Sequence, residues 1–202
     1  IALNLALAAA QARRRTILID VDLGLANVDV LCDVHAKVNL SHVIAGRASL
    51  AEACVTGPAG LKIVPGASGI ERLANLGDAE RERLLSGLED LQRQADFLII
   101  DTGAGISKNV LAFVGAADDI LLVTTPEPTA LVDAYAMLKM LVQRDVPGSV
   151  FVCVNCAEHR IEADRVAAGL RTVAERFLNL YVEPVGWLPR DAAVPASVRR
   201  KQ

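Results

Sequence analysis

Two junctions where an apolar run breaks off at aspartate most constrain what this chain can fold into. Residues 16–27 read TILIDVDLGLAN and residues 97–107 read FLIIDTGAGIS. In each, a run of strand length that is apolar throughout, not alternating, ends in Asp, and glycine follows within a few positions. A strand apolar on both faces is buried on both faces, as in a parallel sheet covered by helices. The C-terminal ends of such strands are where open α/β sheets hold their ligands. Asp also ends strands because it starts turns, and a single junction would carry no more than that. Two of them, bearing Asp20 and Asp22 on one and Asp101 on the other, predict a Mg²⁺ and phosphate site.

Composition narrows the setting of that site. A chain of 202 residues, 52% hydrophobic, has room for one substantial core and is not disordered. Aromatic residues make up only 3%, so the core is built from Ala, Val, Leu and Ile. The longest apolar stretches, 120–123 and 150–154, are far short of a bilayer span. A net charge of −3 gives no strong nucleic-acid signal and no global pull towards anionic lipid. Four scattered cysteines (Cys32, Cys54, Cys153, Cys156) do not make a disulfide framework and imply a reducing, cytoplasmic setting. Cys153 and Cys156 form a C-x-x-C inside VFVCVNCA, but with no second pair and no histidine at ligand spacing they read as strand cysteines. His35, His42 and His159 are isolated from one another and from any nucleophile. Arg13–Arg15 read as a solvated helix end, and Arg199–Lys201 as a short basic run.

Strand-length runs recur at 16–21, 61–64, 97–100, 120–124, 150–154 and 185–188, with helical patterns between most of them. Residues 1–11 are Ala/Leu-rich. Residues 78–94 put Leu84, Leu85, Leu88 and Leu91 on one helical face, and 129–142 do the same with Leu131, Tyr135, Leu138 and Leu141. Residues 160–177 repeat the pattern with Val166, Leu170, Val173 and Phe177. Alternating strands and helices predict a doubly wound, mostly parallel sheet with helices on both faces, in a single domain over 1–202. Such folds normally open with a strand and a glycine-rich loop, yet the chain begins on a helix and contains no G-x-x-x-x-G-K-[ST].

IALNLALAAA, TILIDVDLGLANVDVL, FLIIDTGAGIS and DILLVTTPEPTALVDAYAMLK together resemble the MinD/ParA family of P-loop ATPases, the deviant Walker A class. Within it the chain most resembles the FlhG branch of MinD-like flagellar number regulators, TTPEPTA being the segment that separates that branch from MinD. In this family a KGGVGKT/S loop directly precedes an (I/V)-A-x-N-L-A helix, which residues 1–6 match. The resemblance thus implies a first strand and P-loop lying before Ile1 and an amphipathic membrane helix lying beyond Gln202. It also implies that the 202 residues alone are inactive, and that the missing strand leaves an exposed apolar slot beside residues 97–101.

Carried over position by position, the resemblance makes Asp22 the residue that orients the attacking water. Asp20 supports the Mg²⁺ shell through a water, and Asp101 is the switch II aspartate that holds Mg²⁺ through water. Gly103 and Gly105 let backbone approach the γ-phosphate where a Cβ would intrude. Asn155 matches an adenine-facing asparagine, or else simply caps its strand end. Pro189, Arg190 and Asp191 match the segment that wraps over the base, and Asn27 lies in switch I near a dimer interface. In the loop 124–129, Pro126 and Pro128 keep the chain extended and start the next helix.

The function implied is an ATP- and Mg²⁺-dependent switch that dimerises with ATP and is reset by hydrolysis that a protein partner can stimulate. Its output is the number or placement of flagella, or of a division or segregation apparatus. The implied location is the cytoplasm or, peripherally, the inner face of the cell membrane. A non-hydrolysing scaffold on the same fold is the alternative. A Rossmann-type dinucleotide enzyme is disfavoured, since no G-x-G-x-x-G follows a strand.

Overall fold

The computed structural model describes residues 1–22, 26–66 and 76–200 (for Arg200, the backbone alone). The chain groups into two compact units, one of Ile1–Ala104 with the residues from Ser197 on, the other of Gly105–Ala196.

The first unit runs α1 (Ala2–Gln11), β1 (Thr16–Asp20), α2 (Val28–Cys32), α3 (Leu40–Ile44), β2 (Val55–Thr56), β3 (Lys62–Val64), α4 (Asp78–Gln92) and β4 (Phe97–Asp101). A short 3₁₀ turn, Pro58–Gly60, leads into β3. The strands form one sheet in the order β2-β3-β1-β4. β1 is parallel to both neighbours, and only β2 runs antiparallel. Every residue of β1 is buried, as its unbroken apolar run requires. Successive side chains point to opposite faces. Leu18 accordingly packs with Ala6 of α1, Val28 of α2 and Ile63 of β3, while Ile17 and Ile19 are buried on the opposite face. Beyond the C-cap Ala12 of α1, Arg13 has a positive φ of 60°, which lets Arg14 N–H reach back to the Ala9 carbonyl at 3.1 Å.

Register between β1 and β4 is fixed at their starts. The Arg15 guanidinium donates to Asp96 Oδ1 from Nε at 3.2 Å and from Nη2 at 2.7 Å, while Arg15 N–H donates to Oδ2 at 2.9 Å. Asp96 and Phe97 N–H return bonds to the Arg15 carbonyl. The ladder that follows sets Asp20 directly opposite Asp101. β4 pairs only with β1 among the described residues, and Phe97 at its start is 50% exposed while the rest of the strand is half-buried.

The second unit runs α5 (Lys108–Gly115), β5 (Asp119–Thr124), α6 (Pro128–Gln143), β6 (Ser149–Ala157), α7 (Arg160–Leu178), β7 (Glu183–Pro189) and α8 (Ala193–Arg200), the last crossing the boundary between units. Its three strands form a parallel sheet in the order β5-β6-β7. Pro128 opens α6 at a first-turn position, where its missing N–H costs nothing. Leu138 and Leu141 of α6 and Leu170 of α7 pack on Val150, Val152 and Val154 of β6.

Two sequence expectations shift. The buried stripe of α7 is Ala163, Ala167, Leu170 and Ala174, while Phe177 is 62% exposed. Small alanines let the helix lie close to the sheet, a signal that a search for large apolar residues passes over. The short helices α2, α3, α5 and α8 carry too few turns to show a periodicity. Cys153 is buried in β6, but Cys156 is half-exposed at a bulge with φ 56°. No helix among the described residues is long and apolar enough to cross a membrane.

Leu138 is fully buried, so Leu138→Ala should destabilise the protein by about 2–5 kcal/mol in urea unfolding. Val132→Ala, on the exposed side of the same helix, should stay within about 0.5 kcal/mol.

Candidate functional site

The loop that leaves β1 is built around the Asp20 carboxylate. Oδ1 accepts Asp22 N–H at 3.1 Å, and Oδ2 accepts Asn27 N–H at 3.0 Å and Val28 N–H at 3.1 Å. Asp20 is 2% exposed, so a buried carboxylate satisfies the amides at the start of α2 that the helix leaves open. The Asp22 carboxylate lies over the backbone of the next loop: a Cβ on Gly103 would sit 3.1 Å from its Oδ1. Val21 N–H donates to the Asp101 carbonyl at 2.8 Å, extending the ladder past the strand end. Asp20, Asp22, Asp101 and Gly103 thus meet at one C-terminal edge of the sheet. Gly105 has φ +92° with open space around its α-carbon.

Burial raises the Asp101 pKa, and the charges of Asp20 and Asp22 raise it further. Burial also raises Asp20, against the lowering effect of its backbone amides. Among the described residues no three His, Cys, Asp or Glu side chains converge closely enough to hold a metal by themselves. Asp20, Asp22 and Asp101 are the residues of this edge that could hold a metal, as hard oxygen donors.

In the second unit, a groove of about 280 Å³ is lined by residues of the loop after β5 (Thr125–Pro128), by Cys156, Glu158 and Glu162, and by Arg190. Arg190 N–H donates to the Ala157 carbonyl at 3.0 Å, tying the segment after Pro189 to the end of β6. Asp191 accepts Ala193 N–H at 2.7 Å, at the start of α8. Asn155 is half-buried near the end of β6 and is not among the residues lining the groove. His42 joins a cap with Asn39 at α3, and His159 precedes α7.

Two features of these edges lie outside the sequence reading. Gly66, just after β3, packs on Asp20 and Ala26. The Thr125 hydroxyl is buried without a hydrogen-bond partner among the described residues. Gly66 follows Pro65 at the end of a third apolar run, the same strand-to-glycine pattern without its aspartate.

A parallel sheet that gathers carboxylates and glycine loops at its strand ends defines a P-loop NTPase-like α/β fold. No family model matches the chain. The antiactivator FleN of Pseudomonas aeruginosa is 40% identical over 203 residues, spanning all of this chain and 72% of FleN. The flagellum site-determining protein YlxH of Helicobacter pylori is 40% identical over 121 residues, 60% of this chain and 41% of YlxH. Among solved structures, the septum site-determining protein MinD of Pyrococcus horikoshii, complexed with Mg-ADP, superimposes with a TM-score of 0.81 at 21% identity, covering 99% of this chain and 79% of that one. The chain belongs to the MinD/ParA family, in its FlhG-like branch.

Because Asp101 binds protons more readily folded than unfolded, its contribution to apo stability falls as pH rises from its unfolded pKa through its raised folded value. Asp101→Asn should remove that penalty. The apo variant should melt above wild type near pH 7. The gap should narrow towards pH 4 in parallel thermal melts.

Proposed function

We propose that the protein is a Mg²⁺-dependent ATPase that acts as a dimerisation switch controlling the number or placement of flagella. The observation that carries this reading is the convergence of Asp20, Asp22 and Asp101 beside Gly103 at the end of a parallel sheet. The flagellar output rests on likeness to FleN and YlxH. ATP as ligand rests on the family, and Mg²⁺ is supported by the Mg-ADP held by the MinD neighbour.

In this reading Asp22 orients and polarises the attacking water. Asp20 fixes the loop through three amides and keeps acceptor capacity on Oδ1 for a water in the metal shell. Asp101 holds a second such water. Bound Mg²⁺ supplies charge to offset what develops on the phosphate oxygens. Gly103 and Gly105 bring backbone amides towards the γ-phosphate. In the second unit, Asn155, Pro189, Arg190 and Asp191 form the base-recognition segment. The homodimer of the ATP state, a partner that stimulates hydrolysis and peripheral membrane contact through a C-terminal helix complete the proposal, as does a single domain over 1–202.

In the full-length protein, Asp22→Ala should lower the single-turnover rate by about 10²–10⁴-fold and leave ATP affinity nearly unchanged, since the water it orients reacts only in the transition state. Asp101→Ala should weaken Mg²⁺·ATP binding itself. Nucleotide affinity and single-turnover rate, measured side by side, decide the roles: the reverse pattern exchanges them, and no effect on turnover from either favours the non-hydrolysing scaffold.

A further inference from the structure

We propose that Gly66 is a positioning residue that holds Asp20 and the Ala26–Val28 segment, and through Asp20 the adjoining Asp22, in place from the β3 side. The proposal rests on the reading of Asp22 as the water-orienting group. Gly66 is buried, and a Cβ added there would lie 2.4 Å from Ala26 Cβ, 2.7 Å from the Asp20 carbonyl oxygen and 3.4 Å from Asp20 Cγ. Carbon atoms in contact sit about 3.5–4.0 Å apart. An alanine at 66 therefore demands a shift of roughly 1 Å or more from one of these partners.

The neighbours decide which of them moves. Asp20 is held in the β1–β4 ladder opposite Asp101. The peptide before Gly66 is held as well, because the Pro65 carbonyl accepts Leu40 N–H at 3.1 Å at the start of α3, and Val64 pairs with Ile19. Ala26 has no strand to anchor it. The displacement therefore falls on Ala26 and on the adjoining Asn27 and Val28 amides, which close the loop onto Asp20 Oδ2. Gly103 fixes the same loop from the other side, at the Asp22 carboxylate. Two glycines from the neighbouring strands thus bracket the segment that carries Asp22, and at both positions it is the absence of a side chain that sets the geometry.

The test uses the full-length protein. In its apo form, Gly66→Ala should speed hydrogen exchange at the Asn27 and Val28 amides by about tenfold or more, while Ile17–Ile19 and β6 keep wild-type protection. The added change Ala26→Gly should recover part of that protection. Gly115→Ala, at a glycine with open space around it, should behave as wild type. With ATP and Mg²⁺, Gly66→Ala should lower the single-turnover rate by about 10–10²-fold, the scale of an ångström's misplacement, with nucleotide affinity held within about threefold. Unchanged exchange at Asn27 and Val28 would overturn the proposal. So would protection lost throughout the sheet, or a fall in affinity with turnover per bound nucleotide retained. If wild type itself hydrolyses no ATP, the Asp22 reading fails, while the exchange measurement still judges Gly66.

Discussion

The parallel pairing of β1 with β4 is the constraint on which the acidic edge depends. It is anchored at one end by the fork of Arg15 on Asp96 and delivers Asp20 opposite Asp101 at the other. Because side chains alternate along a strand, slipping this register by one residue would turn Asp20 or Asp101 to the opposite face and separate the pair. The exposed Arg15–Asp96 pair adds little stability as a surface ion pair. Its structural consequence is alignment, since the main-chain bonds at Arg15, Asp96 and Phe97 begin the ladder.

From that register the loop geometry follows. Asp20 is buried at a cost, and three backbone amides offset it. The same bonds turn the chain into α2 and leave Asp22 over Gly103. Asp101 stands in the field of Asp20 and Asp22, which together with its burial holds its carboxyl above the usual carboxylate range. Burying these carboxylates side by side costs stability in the folded chain.

Much of this was legible in the sequence because it rests on strongly periodic or strongly punctuated residues. All six apolar runs became strands, and the runs ending in Asp20 and Asp101 did so at the expected residues. Pro128 opened its helix as expected. What the sequence hid depends on contacts between distant segments. Nothing local distinguishes Gly66 from any turn glycine until Asp20 and Ala26 are seen against it. The alanine stripe of α7 hides because its side chains are small, and Phe177 misleads because it is large. Asp20 reads as a metal-shell residue from its motif, while its three amide bonds emerge only once the chain has folded back at Asn27 and Val28.

The proposed site is tested most directly by locating the metal–nucleotide complex. Mn²⁺ in place of Mg²⁺, added with ADP to the full-length protein, broadens the amide resonances of residues near it. Broadening is expected at Val21, Asp22, Thr102 and Gly103, reversed by chelation and absent without nucleotide. Resonances of these four residues that stay sharp while others broaden would contradict it.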